Sequence, residues 1–151
     1  MKRILIGVDG SPESKQAADF AAQLGLSLHA DLTLVYVAAP QVAVGPEPFW
    51  REDGLQWERA EREYGDGVLR EMSVRCAEKG RLDVETRVEN GPVAETLAQL
   101  AETGDVDFVV VGHRGRGRVR RALLGSVADR LVQISSRPVV VCRDAADAHA
   151  S

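Results

Sequence analysis

A chain of 151 residues can build one core of ordinary domain size and would rarely divide between two. Its 19 Lys and Arg stand against 23 Asp and Glu, and a formal net charge of -4 excludes a global pull toward nucleic acid or anionic membrane, so any anion binding must be local. With 44% hydrophobic and 28% charged residues the balance is that of a soluble globular chain and not of a disordered one.

The opening MKRILIGVDG holds an apolar run too brief for a signal-peptide core, and no later run approaches the about 18 residues of a membrane span. A cytoplasmic location is expected. Five strands are predicted over 4–8, 32–37, 82–88, 106–111 and 138–142, each an apolar run bounded by turn residues. The second, fourth and fifth are apolar nearly throughout, as central strands of a parallel sheet are, whereas LDVETRV alternates and suits an edge.

Helical patterns separate these strands. Ser11 as N-cap and Pro12 at the first helical position open a helix over 12–30 with Phe20, Ala21, Leu24 and Leu28 on one face. Three prolines in AAPQVAVGPEPFWRED mark a surface excursion over 38–53. A second helix then places Trp57, Ala60, Tyr64, Val68, Met72 and Cys76 three or four residues apart, with a bend expected at Gly65 and Gly67. Pro92 starts a third helix carrying Val93, Leu97, Leu100 and Ala101, and 126–135 forms a fourth with Val127, Leu131 and Ile134 inward. Cys76 and Cys142 show neither a C-x-x-C spacing nor a histidine partner and read as buried thiols; no metal site is expected.

Strict alternation of strand and helix predicts an α/β fold with right-handed crossovers, a parallel sheet and helices on both faces. One domain over 1–143 is expected, followed by a frayed tail over 144–151. In such sheets ligands sit beyond the carboxyl ends of the strands. Asp9 in GVDGS closes the first strand and Gly112 in VVVGHRG closes the fourth, and the two are near each other only if those strands are neighbours, which periodicity alone does not show. The segment GHRGRGRVRRALLGSV then offers glycines that let backbone N–H groups approach phosphate oxygens, and Ser126 and Val127 open the next helix, whose N-terminus favours anions. Taken alone, the same glycines also suit a plain mobile loop with Ser126 as a cap.

ILIGVDGSPESKQAADFAAQL and VVVGHRGRGRVRRALLGSVADRLVQISSRPVVVCR resemble the universal stress protein family, and the likeness spans nearly the whole chain. Gly112, Gly115, Gly125 and Ser126 meet the G-x2-G-x9-G-[S/T] spacing of its ATP-binding type. The resemblance implies a five-stranded, Rossmann-like sheet of order 3-2-1-4-5. It implies that Gly7 and Asp9 flank an adenosine, that Val37 contacts the adenine, and that Val111 and Gly112 lie along the nucleoside. Gly115, Gly125, Ser126 and Val127 would hold the phosphates of ATP, ADP or AMP, with Mg²⁺ or Mn²⁺ accompanying them. It also implies a homodimer paired through the final edge strand over 138–142, from which Val140→Pro would delete a donor.

Arg114, Arg116, Arg118, Arg120 and Arg121 exceed what phosphate contact needs; most suit a solvated rim, with one or two near the phosphates. Three functions compete. The first is a stress-response regulatory module that binds an adenine nucleotide and changes its protein partner with occupancy. The second is a slow ATPase of the same fold, against which stand the missing P-loop lysine, the lysines being only Lys2, Lys15 and Lys79, and the absence of an activated nucleophile or catalytic residue, His113 included. A nucleic-acid binder conflicts with the acidic total and with only seven Phe, Trp and Tyr.

Overall fold

The computed structural model describes residues 2–39, 50–114 and 123–144. The excursion over 40–49, Gly115, Arg116, Arg118, Arg120, Arg121 and the expected tail from 145 lie outside these residues.

Five strands and four helices alternate: β1 (Lys2–Gly7), α1 (Pro12–Leu28), β2 (Ala30–Ala38), α2 (Trp50–Lys79), β3 (Val84–Asn90), α3 (Val93–Thr103), β4 (Phe108–Gly112), α4 (Ser126–Ile134) and β5 (Val139–Cys142). The sheet order is β3-β2-β1-β4-β5 and every pairing is parallel. Because side chains alternate across a strand, Ile4 and Ile6 of β1 with Leu32, Leu34 and Tyr36 of β2 enter the layer against α1 and α2. Leu5, Val35, Val37, Val109 and Val111 enter the opposite layer with Leu97 of α3 and Leu131 of α4. β3 is the edge strand its alternation predicts, and β2 and β4 are central as their apolar runs predict; β5, equally apolar, is not central but the other edge, and its residues are only half-buried.

α1 begins as expected, with the Ser11 side chain accepting from the Ser14 N–H and Pro12 behind it. It ends two residues before position 30, because His29 turns left-handed at φ 54° and its N–H closes on the Gly25 carbonyl. Of its expected face Ala21 is buried and Leu24 and Leu28 pack partly buried against the core, while Phe20 is exposed; the face centres on Ala17, Ala18, Ala21 and Ala22, whose small side chains let the helix lie close on the sheet. Cys76 is buried and its thiol is pushed up to about 11 chiefly by burial, whereas Cys142 is only half-buried, which corrects the reading of two buried thiols.

α2 starts at Trp50 within the expected excursion and runs on as one 30-residue helix. Of its anticipated stripe Val68, Met72 and Cys76 are buried, and Tyr64 is exposed. Gly65 does not mark a loose turn. A Cβ there would stand 2.4 Å from the Tyr36 ring, so the glycine is what allows α2 to reach β2. Gly67 faces open space, with nothing within 4 Å of an added Cβ. Gly65→Ala is therefore expected to cost about 1–3 kcal/mol by overpacking. Gly67→Ala should stabilise by about 0.5–1 kcal/mol through helix propensity alone. Urea unfolding of the two variants checks this, and equal midpoints would refute the packing argument.

Candidate functional site

β1 and β4 are adjacent although two strands and three helices lie between them in the chain, whereas the other three neighbouring pairs are consecutive strands; the chain leaves β1 toward one side of the sheet and β4 toward the other. A cavity of about 220 Å³ opens there, beyond the carboxyl ends of the strands. Gly7, Asp9, Val37, Val111, Gly112, Gly125, Ser126 and Val127 all line it, so every described residue of the expected set is brought to one place. Gly115 lies outside the described residues.

The β1–α1 turn is a closed hydrogen-bond circuit. Asp9 Oδ1 accepts from the Ser11 N–H at 2.9 Å. Ser14 Oγ accepts from the N–H groups of Asp9 at 3.3 Å and Gly10 at 3.2 Å while donating to the Ser11 carbonyl at 3.1 Å. Gly10 sits at φ 87°, a region glycine enters without strain. Asp9 thus forms the local turn and faces the cavity at once. It lies two residues past the end of β1 rather than closing the strand.

The far wall is the start of α4. Gly125 is its N-cap and supplies no side chain, so Ser126 occupies the first helical position instead of capping. Gly125 donates its N–H to the His113 carbonyl at 2.8 Å, which brings the loop after β4 against the helix start. The first N–H groups of a helix lack intrahelical acceptors and carry the positive end of its dipole. Here they belong to Ser126, Val127 and Ala128, all on the cavity wall. Such a wall suits a phosphate or another anion.

Several lining residues were not anticipated. Tyr36 donates its hydroxyl to Glu61 of α2, and Tyr64, whose ring meets that of Tyr36 edge-on at 5.9 Å, donates to the Asp9 carbonyl at 3.1 Å. Tyr36 and Glu61 line the cavity with Ser14, Val93, Leu97, His113 and Arg114. The glycine inside α2 was the one available signal for this approach. Arg114 is paired with Glu13 of α1 at 2.6 Å, a contact across 101 residues that no spacing rule finds.

The model of the universal stress protein family matches residues 1–143. The chain belongs to the universal stress protein family. A family member from Mycolicibacterium smegmatis is 36% identical over 140 residues, which cover 91% of this chain but 47% of that protein, so this chain spans about half its length. The fold is shared with UspA from Lactobacillus plantarum at a TM-score of 0.85, with 22% identity and 94% of this chain and 97% of that one covered. A universal stress protein solved in complex with cAMP is 27% identical, with a TM-score of 0.73 and coverage of 95% of this chain and 98% of that chain.

Proposed function

We propose that the chain binds ATP or a related adenine nucleotide in the cavity between β1 and β4, with Mg²⁺ or Mn²⁺ carried on the phosphates, and acts as a stress-response regulatory module. The observation that carries this reading is the convergence of Gly7, Asp9, Val37, Val111, Gly112, Gly125, Ser126 and Val127 on one cavity beside an uncapped helix N-terminus. The cAMP complex of a 27% identical relative supports an adenine nucleotide as the ligand class. Asp9, Val37 and Val111 take the nucleoside, and Gly115, Gly125, Ser126 and Val127 take the phosphates. The unit that does this is residues 1–143, working in the cytoplasm; among the described residues no helix is long and apolar enough to cross a membrane.

Calorimetric titration with ATP and Mg²⁺ tests the reading. Saturable one-site binding with negligible turnover is the expected result. Absence of binding would remove the nucleotide, and turnover near the ~10 s⁻¹ enzyme median would replace the regulatory module with an enzyme.

The same proposal includes a homodimer through β5, the edge strand opposite β3. The Pro138 carbonyl accepts from Val109 and the Cys142 carbonyl from His113, so the even-numbered residues of β5 face β4. Val139 and Val141 therefore present their N–H groups to the open edge. Val140→Pro would injure the sheet itself, and Val141→Pro is the variant that removes an edge donor. Light scattering at micromolar concentration should give a dimer for the parent and a monomer for Val141→Pro; a monomeric parent would contradict the pairing.

A further inference from the structure

Glu13 stands in the first turn of α1 and is 5% exposed, unusual for a carboxylate. It does not line the cavity; Arg114 does. Arg114 Nη2 donates to Glu13 Oε1 at 2.6 Å, with side-chain exposures of 15% and 7%. Two glycines hold the partners in place. A Cβ at Gly112 would come within 2.9 Å of the Glu13 carbonyl carbon, and one at Gly125 within 3.0 Å of Arg114 Cα. The main chain of each residue is thus clasped by an adjoining strand end or helix start, and the ion pair joins their tips. A guanidinium presents five N–H donors in a planar fork, so one edge can be held by a carboxylate while another meets an anion.

We propose that Glu13 is a positioning residue for the ligand's phosphate groups: its buried carboxylate orients the Arg114 guanidinium at the cavity wall beside the start of α4. This rests on the nucleotide reading above and adds a selectivity to it. A long arginine side chain left to swing would lose rotamer freedom on each binding event, whereas a held one does not. Glu13 therefore favours ligands by their phosphate charge and is indifferent to the nucleoside.

The test compares calorimetric affinities of ATP and adenosine for the parent, Glu13→Gln and Glu13→Asp. Glu13→Gln removes the charge, and Glu13→Asp keeps it on an arm one methylene shorter and serves if the first variant fails to fold. Each variant is expected to weaken ATP about tenfold, the loss expected when one hydrogen bond to a charged group is misdirected, with adenosine unchanged. A gain in ATP affinity for Glu13→Gln would show that Glu13 competes with the phosphates and would overturn the inference. Equal losses for ATP and adenosine would overturn it too, by assigning the pair to structure alone. A parent that binds both ligands alongside unchanged variants would remove only this inference; a parent that binds neither would remove the nucleotide reading with it.

Discussion

Gly112→Val is expected to destabilise the chain by about 3 kcal/mol and to abolish ligand binding in whatever folds. An added Cβ would stand 2.8 Å from Glu13 Cβ, 2.9 Å from the Glu13 carbonyl carbon and 3.0 Å from the Ser14 nitrogen. Two of these three are main-chain atoms of the first turn of α1, which cannot rotate aside as a flexible side-chain tip would. That turn is tied to Asp9 and Gly10 through Ser14, and β4 is paired on both edges, by β1 and β5. Neither partner can yield without breaking hydrogen bonds, and separating them would widen the cavity on the side that holds Asp9. Urea denaturation reads the loss as a lower midpoint at an unchanged slope. A midpoint equal to the parent's would show that α1 can shift cheaply and would sink the argument.

Ser126→Ala is expected to weaken ATP ten- to a hundredfold while leaving stability nearly untouched. The first half follows from losing a hydrogen bond to a charged group, about 1.5–3 kcal/mol. The second follows from its position. Ser126 is exposed and is the first residue of α4 and not its N-cap, so alanine removes no cap and has the better helix propensity. Titration calorimetry and thermal unfolding of the same samples separate the two effects. Unchanged ATP affinity would take the serine hydroxyl out of the site, and a fall in melting temperature matching the loss of binding would mean that the helix start had been damaged instead.

The α/β class was legible because two local signals coincide with one topological rule, whereas the sheet order and the convergence of the site were legible only through the resemblance to the family. Strands marked by Val and Ile alternate with helices whose starts carry Ser11, Pro12 and Pro92, and this alternation admits only right-handed crossovers. In the order that the resemblance implies and the structure has, the carboxyl ends of β1 and β4 meet where the sheet order reverses, and Asp9 and Gly112 lie at those ends. On α1 the expected face holds for Ala21, Leu24 and Leu28 and fails at Phe20, because apolar size was the criterion, whereas Ala17, Ala18, Ala21 and Ala22 pack where closeness matters more than area. Gly65 was misread because a glycine in a helix lowers propensity whatever it touches, and only the Tyr36 ring 2.4 Å from its missing Cβ reveals its use.

The sequence by itself determined the class of fold and one of the two edge strands, since these depend on periodicity and on chain punctuation within a few residues; the residues expected at the cavity came from the resemblance to the family, carried over motif by motif. The tertiary structure alone decided the second wall of the site. Glu13 with Arg114, Tyr36 with Glu61, and Tyr64 with the Asp9 carbonyl join residues 101, 25 and 55 positions apart. No local pattern encodes such pairs: a buried carboxylate or hydroxyl is tolerated only where packing delivers its partner, and that partner is chosen by how α1 and α2 settle on the sheet.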